Sequence, residues 1–179
     1  MTKFRLPILI LILSVFTVLN KMSLSAAVTV SASSSENESN SAARALDDNM
    51  QTRWSSQFSD RQWLLIDMGE SKDIVGLTLY WEAAYGKSYD ILLSEDGKAW
   101  RNAYATAEGD GLIDDIYFGK KKARSIKISL NERGTQWGYS LWEVRIKGPE
   151  EEMPITASSS SKANPPEDAM DGDTQTMWR

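Results

Sequence analysis

Asp47, Asn49 and Thr52 bring a carboxylate, an amide and a hydroxyl together within six residues, while Glu143 lies far along the chain at a predicted strand start. An acid, a turn and a hydroxyl can curl round a hard cation, and a distant Glu can complete the oxygen shell. The alternative is that Asp47 and Thr52 only cap turns. A second group lies in Gly-containing segments between predicted strands. Trp137 follows Arg133 by four residues, and Tyr85 follows Glu82 by three. Aromatic rings that meet C–H faces, with planar polar groups to take hydroxyls, suit a sugar ring. Alternatively, Arg133 and Glu82 pair with each other on the surface. Asp110, Asp114 and Asp115 raise a third chemistry, since glycoside hydrolysis needs two carboxylates at a suitable separation. Leu112 to Phe118 reads, however, as a strand whose acids face solvent. The chain has no His and no Cys. That excludes a serine–histidine triad, a thiol nucleophile, disulfides and the usual zinc sites within it.

The elements that must position these groups are short. Val28–Val30, Trp63–Met68, Ile74–Trp81, Tyr89–Ser94, Trp100–Tyr104, Leu112–Phe118, Arg124–Leu130 and Leu141–Lys147 are strand-length runs rich in Val, Ile, Tyr and Trp. Ser94-Glu95-Asp96-Gly97-Lys98 marks a hairpin, and only Ser41–Asp48 can hold a helical turn or two. About eight strands without long helical periodicity predict an all-β sandwich or barrel. Trp54, Trp63, Trp100 and Trp142 lie in or beside these runs and are expected in the core, whereas Trp81, where a run gives out, is ambiguous.

Residues 1–27 read as a secretory signal: Lys3 and Arg5, an apolar run from Leu6 to Leu19, and Ser25-Ala26-Ala27 before the expected cleavage. The competing reading is a membrane anchor, but 14 residues fall short of the roughly 20 that span a bilayer. The leader holds three of the 20 basic residues and none of the 25 acids, leaving a net charge of −8. A nucleic-acid partner is therefore not expected, and Lys120-Lys121-Lys122 with Arg124 reads as a solvated turn. The module spans 28–148, a proline-bounded linker 149–154, and the truncated start of a second copy 155–179. Asp171-Gly172-Asp173-Thr174-Gln175-Thr176-Met177-Trp178 repeats the spacing of Asp47 to Trp54, at an offset of 124 residues.

Three segments carry a resemblance: Ala45 to Trp54, Trp81 to Tyr89 running into Ser94-Glu95-Asp96-Gly97, and Arg133 to Glu143. With Trp63 to Gly69 they resemble the discoidin-like, coagulation factor five/eight type C domains, and more narrowly family 32 of the carbohydrate-binding modules. The resemblance implies a jelly-roll sandwich of about eight strands, galactose-binding-domain-like, with ligand loops at one end. It also implies a structural calcium, held by side chains of Asp47, Thr52 and Glu143 and by backbone carbonyls of Arg44, Asn49 and Trp142. Asp48 stands where the family usually has Gly. The function so implied is a secreted, non-catalytic, monomeric module in a longer chain. Its partner would be an oligosaccharide or polysaccharide bound by Glu82, Tyr85, Arg133 and Trp137, and repetition would add avidity. The alternatives are a glycoside hydrolase whose catalytic domain lies outside this chain, and adhesion to protein or membrane. Adhesion to a membrane is not expected, because Phe58 is an isolated apolar loop residue.

Overall fold

A computed structural model describes residues 27–151. The leader apart from Ala27, and residues 152–179 with the expected second copy, lie outside the described residues. Among the described residues seven strands form: β1 (Thr29–Ala32), β2 (Trp54–Ser55), β3 (Gln62–Trp81), β4 (Gly86–Ser94), β5 (Arg101–Thr106), β6 (Ile113–Arg133) and β7 (Ser140–Lys147). Short 3-10 turns occupy Glu38–Asn40, Ala42–Leu46 and Pro149–Glu151. Among the described residues no helix is long and apolar enough to cross a membrane.

At 20 and 21 residues, β3 and β6 are too long to stay straight in a domain this size. Each bends near a glycine with positive φ, Gly69 at 77° and Gly119 at 69°, backbone that a residue without Cβ adopts at no steric cost. Their antiparallel pairing runs from Gln62↔Leu130 to Asp67↔Ser125, slips around Gly69, resumes from Lys72↔Ala123 to Ile74↔Lys121, slips again around Gly119, and continues from Gly76↔Tyr117 to Tyr80↔Ile113. Before the bend, β3 also pairs with β1, and the matching half of β6 pairs with β4, which carries β5. Beyond it, β3 pairs with β7, which carries β2. Two layers result, folded over one core from a continuous pair of strands. The expected all-β sandwich is therefore what forms. Its strand number differs because each pair of sequence runs flanking a bend is one strand, and the two-residue β2 adds one.

Period-two alternation decides which side chains enter that core. Leu64, Ile66 and Met68 are buried from one layer, while Leu77, Leu79, Leu141 and Val144 are buried from the other. The same alternation corrects the expectation for the tryptophans. Trp63 lies between inward-facing Gln62 and Leu64, so its ring points away from the core, with the Lys127 ammonium 5.5 Å from its centre. Trp142 is likewise half-buried beneath the Arg53 guanidinium, and Trp100 is half-buried ahead of β5. Trp54 is fully buried, as expected, and ambiguous Trp81 proves to be core. Trp54 Nε1 donates to the Ser34 carbonyl at 3.0 Å, tying the 33–41 loop to the sandwich.

Trp54→Ala should cost about 3–5 kcal/mol. Trp63→Ala should cost less, about 1–2 kcal/mol, since its ring lies outside the core and is only partly buried. Urea denaturation of both variants checks the difference, and equal losses would contradict the register.

Candidate functional site

The clearest site lies where β3 ends and β7 begins. The Glu82 amide donates to the Ser140 carbonyl at 3.0 Å, and the Ser140 amide to the Ala84 carbonyl at 2.7 Å. Beneath them, the Ser55 and Ser140 hydroxyls share a 2.7 Å hydrogen bond, and Ser56 Oγ accepts from the Tyr139 amide at 2.9 Å. These buried polar links have their partners, so they hold the loops rather than destabilising them. Above this floor opens a cleft of about 220 Å³, lined chiefly by Glu36, Arg53, Phe58, Glu82 and Trp137. Trp137 and Phe58 meet edge to face at 5.5 Å, and each stays 51% exposed. A solvent-facing aromatic pair beside fixed polar groups is the composition of a binding surface rather than of packing.

Three polar groups line the cleft together with these rings. Arg53 donates from Nε to Ser55 Oγ at 3.0 Å. Glu36 receives the Asn40 side-chain amide at 2.9 Å, while its backbone amide donates to the Ser55 carbonyl at 2.7 Å. Glu82 spends Oε2 on the Ala84 amide at 3.1 Å. The cleft can therefore offer a flat apolar face, two carboxylates and a guanidinium to one ligand.

Of the four residues expected to bind ligand, the cleft brings together Glu82 and Trp137. Tyr85 turns inward: a Cβ built on Gly134 would fall 2.1 Å from its ring, so the ring lies directly on that glycine. Arg133 also lies outside the lining. It does not pair with Glu82, the bland alternative, but gives Nε and its own amide to Asp60 Oδ1 at 2.9 and 3.1 Å. Its Nη1 donates to the Gln136 and Trp137 carbonyls at 3.2 Å, so it props the loop that carries Trp137. Sequence reasoning missed Glu36, Arg53 and Asp60. Glu36 is one acid in a Ser/Asn-rich loop, and long-range bonds such as Trp54–Ser34 and Glu36–Ser55 reveal where that loop packs.

The oxygen cluster lies apart from the cleft lining. Thr52 Oγ1 is 2.9 and 2.8 Å from the two Asp47 carboxylate oxygens and 3.0 Å from the Asn49 carbonyl. Arg44 holds Asp47 at 3.2 Å. Asp48 has φ 56°, a left-handed conformation that Asp tolerates better than most residues, which accounts for a position usually given to Gly. Trp142 falls in a bulge, since Tyr80 pairs with Glu143 but Trp81 with Leu141. This extra residue frees its backbone from the ladder. Glu143 is 9% exposed, and its Oε2 is a buried oxygen with no hydrogen-bond partner among the described residues. Burial pushes the Glu143 carboxyl above its usual range, against the opposing pull of the Val144, Asp48 and Asn49 amides. An orphaned buried carboxylate beside an all-oxygen set fits a hard cation better than it fits a turn cap.

Of the acids weighed for hydrolysis, Asp114 and Asp115 are otherwise engaged. Asp115 faces solvent as expected, but Asp114 is partly buried and accepts from Tyr89 OH at 2.6 Å and Trp81 Nε1 at 2.7 Å, at the edge of the core. Asp115 accepts from Thr78 at 2.9 Å and pairs with Lys147 at 2.7 Å, which hold its carboxyl below the usual range.

Residues 29–144 match the F5/8 type C domain family. Over 68 residues the chain is 38% identical to the polysaccharide lyase 8 family protein HylA of Enterococcus faecalis, a match covering 38% of this chain and 5% of that protein. Chitosan-binding module 1 of a chitosanase/glucanase from Paenibacillus sp. IK-5 is 40% identical with a TM-score of 0.66, covering 69% of this chain and 97% of that one. Module 2 of the same enzyme, solved with chitotriose, is 35% identical with a TM-score of 0.66, covering 69% and 98%. A family 32 module of Clostridium perfringens NanJ, solved with galactose, shares the fold at a TM-score of 0.60 and 21% identity, covering 66% and 92%. The fold is thus that of carbohydrate-binding modules.

Arg133 holds the Asp60 carboxyl below its ordinary value of 3.8. A depressed carboxyl contributes stability above its unfolded pKa and loses it as pH falls through the folded value. A carbon-13 carboxyl titration should therefore place the Asp60 midpoint below 3.8. Arg133→Ala should return it to the ordinary range, and an unchanged midpoint would mean that the pair does not persist in solution.

Proposed function

The chain belongs to the F5/8 type C domain family, and from that premise we propose that it carries a secreted, non-catalytic glycan-binding module of a larger protein. Its ligand is a polysaccharide bearing protonated amines, of the chitosan class. The observation that carries this reading is the meeting of Glu36 and Glu82 with Trp137 in one cleft. Modules 35–41% identical to this chain are described as chitosan-binding, which adds independent support.

The chemistry is recognition without bond breaking. A sugar ring lays its C–H face on Trp137, edged by Phe58. The two carboxylates attract an ammonium that a neutral sugar lacks, and Arg53 supplies donors to hydroxyl oxygens. Few contacts on an open surface give weak affinity, in the micromolar-to-millimolar range. Linked copies would convert such sites into useful avidity.

A structural calcium belongs to the same proposal. Side chains of Asp47, Thr52 and Glu143 and carbonyls of Arg44, Asn49 and Trp142 would hold it. Bound there, it neutralises two carboxylates and pins the 47–52 loop to β7.

Calorimetry with glucosamine and N-acetylglucosamine oligomers tests the ligand class. The amine form should bind, and acetylation or a pH that deprotonates the amine should weaken binding. Trp137→Ala should remove most affinity from a folded module, and Glu82→Gln should lower it roughly 10- to 100-fold, the loss of a charge-assisted hydrogen bond. Equal binding of both oligomers would reject the charged-glycan reading, and cleavage of either would reject a non-catalytic role.

Calcium should raise the melting temperature of the unaltered protein and leave Glu143→Gln unmoved, because only a folded state with the acid gains from binding. In chelator the order of stability should reverse. The raised Glu143 pKa disfavours folding increasingly as pH climbs through the ordinary carboxyl value of 4.5, and Gln removes that charge. A melting temperature indifferent to chelator would rule the metal out.

A further inference from the structure

The cleft crosses the ends of three neighbouring strands, and the fourth in the same order begins beside an exposed apolar residue. Across this layer the strands run β2-β7-β3-β6. In the cleft lining, Arg53 and Ser55 come from the start of β2, Ser140 opens β7, and Glu82 directly follows β3. On one side the Glu82 amide bonds to Ser140, while on the other the Trp81 amide donates to the Leu112 carbonyl at 2.8 Å. Leu112 immediately precedes β6 and is 82% exposed, and Ile113 beside it is 58% exposed. Strands in a sheet lie about 4.8 Å apart, so Leu112 continues the rim by about one strand width beyond the end of β3.

Leu112 is not where folding alone would put a leucine. Its φ is 64° and that of Gly111 is 86°, two consecutive left-handed residues. Gly adopts that backbone freely, but Leu meets a steric cost there. At 82% exposure it gains almost no burial in return. Strain held without a packing gain argues for a role outside folding. The turn is also firmly seated. A Cβ on Gly111 would fall 3.0 Å from the Tyr85 ring, and one on Gly109 would fall 2.3 Å from the Gly86 carbonyl oxygen. Inward-turned Tyr85 therefore backs this turn as well as Gly134. Asp110, two residues before Leu112, is exposed, and its carboxylate has no hydrogen bond or ion pair among the described residues. An apolar face presented to solvent beside a free carboxylate repeats, one strand over, the chemistry of Trp137 with Glu82. Resting on the glycan-binding reading above, we propose that Leu112 and Asp110 form a second subsite for the same polysaccharide. The next amine-bearing sugar lies against the Leu112 side chain, and its ammonium is attracted to Asp110. A ligand that fills both subsites has at least two linked sugars, so the rim distinguishes polymer from monosaccharide.

NMR titration of the full chain, labelled with nitrogen-15 and at the Leu methyls with carbon-13, tests this with glucosamine and its trisaccharide. The trisaccharide should shift both the Trp137 indole and the Leu112 methyl resonances, and the monosaccharide the Trp137 indole alone. Leu112→Asn removes the apolar face but keeps a residue that tolerates left-handed backbone. It should lower trisaccharide affinity roughly 5-fold, the weight of partly covering one Leu side chain, and leave monosaccharide affinity unchanged. Asp110→Asn should likewise weaken the trisaccharide and spare the monosaccharide. A trisaccharide that shifts Trp137 without Leu112, or a Leu112→Asn variant that binds it as tightly as the unaltered protein, would overturn the second subsite and leave the glycan-binding reading standing. No Trp137 shift with either sugar would overturn both. Leu112 methyl shifts that grow with protein concentration in the absence of sugar would also overturn the subsite, since a second copy of the chain would then cover that residue.

Discussion

The pairing of β3 with β6, interrupted by a bend and resumed beyond it, is the constraint from which the other features follow. Gly69 lies at the first slip in this pairing and Gly119 at the second, and the same two strands contribute to both layers. Neither layer can form its register independently of the other. β3 delivers Glu82 at its end, and β6 delivers Arg133. β7, paired to the second half of β3, starts at Ser140 beside Glu82. The cleft is therefore a consequence of strand lengths, with buried serine hydroxyls locking the junction.

Much of this was legible in the chain. Alternation in Gln62–Met68 and the runs flanking each bend announce strands, because burial on one face leaves a period of two. The bends were harder to see. A turn between two strands and a bend within one use the same residues, and only the continuity of pairing distinguishes them. Trp63 shows a related difficulty: aromatic residues favour strands on either face, so residue type alone could not say which side it took.

The cleft was legible where an aromatic had no reason to sit in a loop, as at Trp137, and where a planar polar group preceded such an aromatic, as at Glu82. Tyr85 carried the same signal but found a glycine to pack on. Arg133 carries a charge that Asp60, 73 residues earlier, captures. Glu36 enters through the Trp54–Ser34 hydrogen bond, a contact between segments with no periodic relation. Local pattern marks which residues are unusual. Which of them converge depends on long-range closure, and the structure supplies that.

The central claim, that a glycan sits on Trp137 between Glu36 and Glu82, is tested most directly by the indole N–H resonances of nitrogen-15-labelled protein during titration with a glucosamine trisaccharide. The Trp137 resonance should shift in proportion to occupancy, while that of Trp63, partly buried beside Lys127 and outside the cleft lining, stays still. Binding that moves Trp63 and leaves Trp137 unchanged would contradict it.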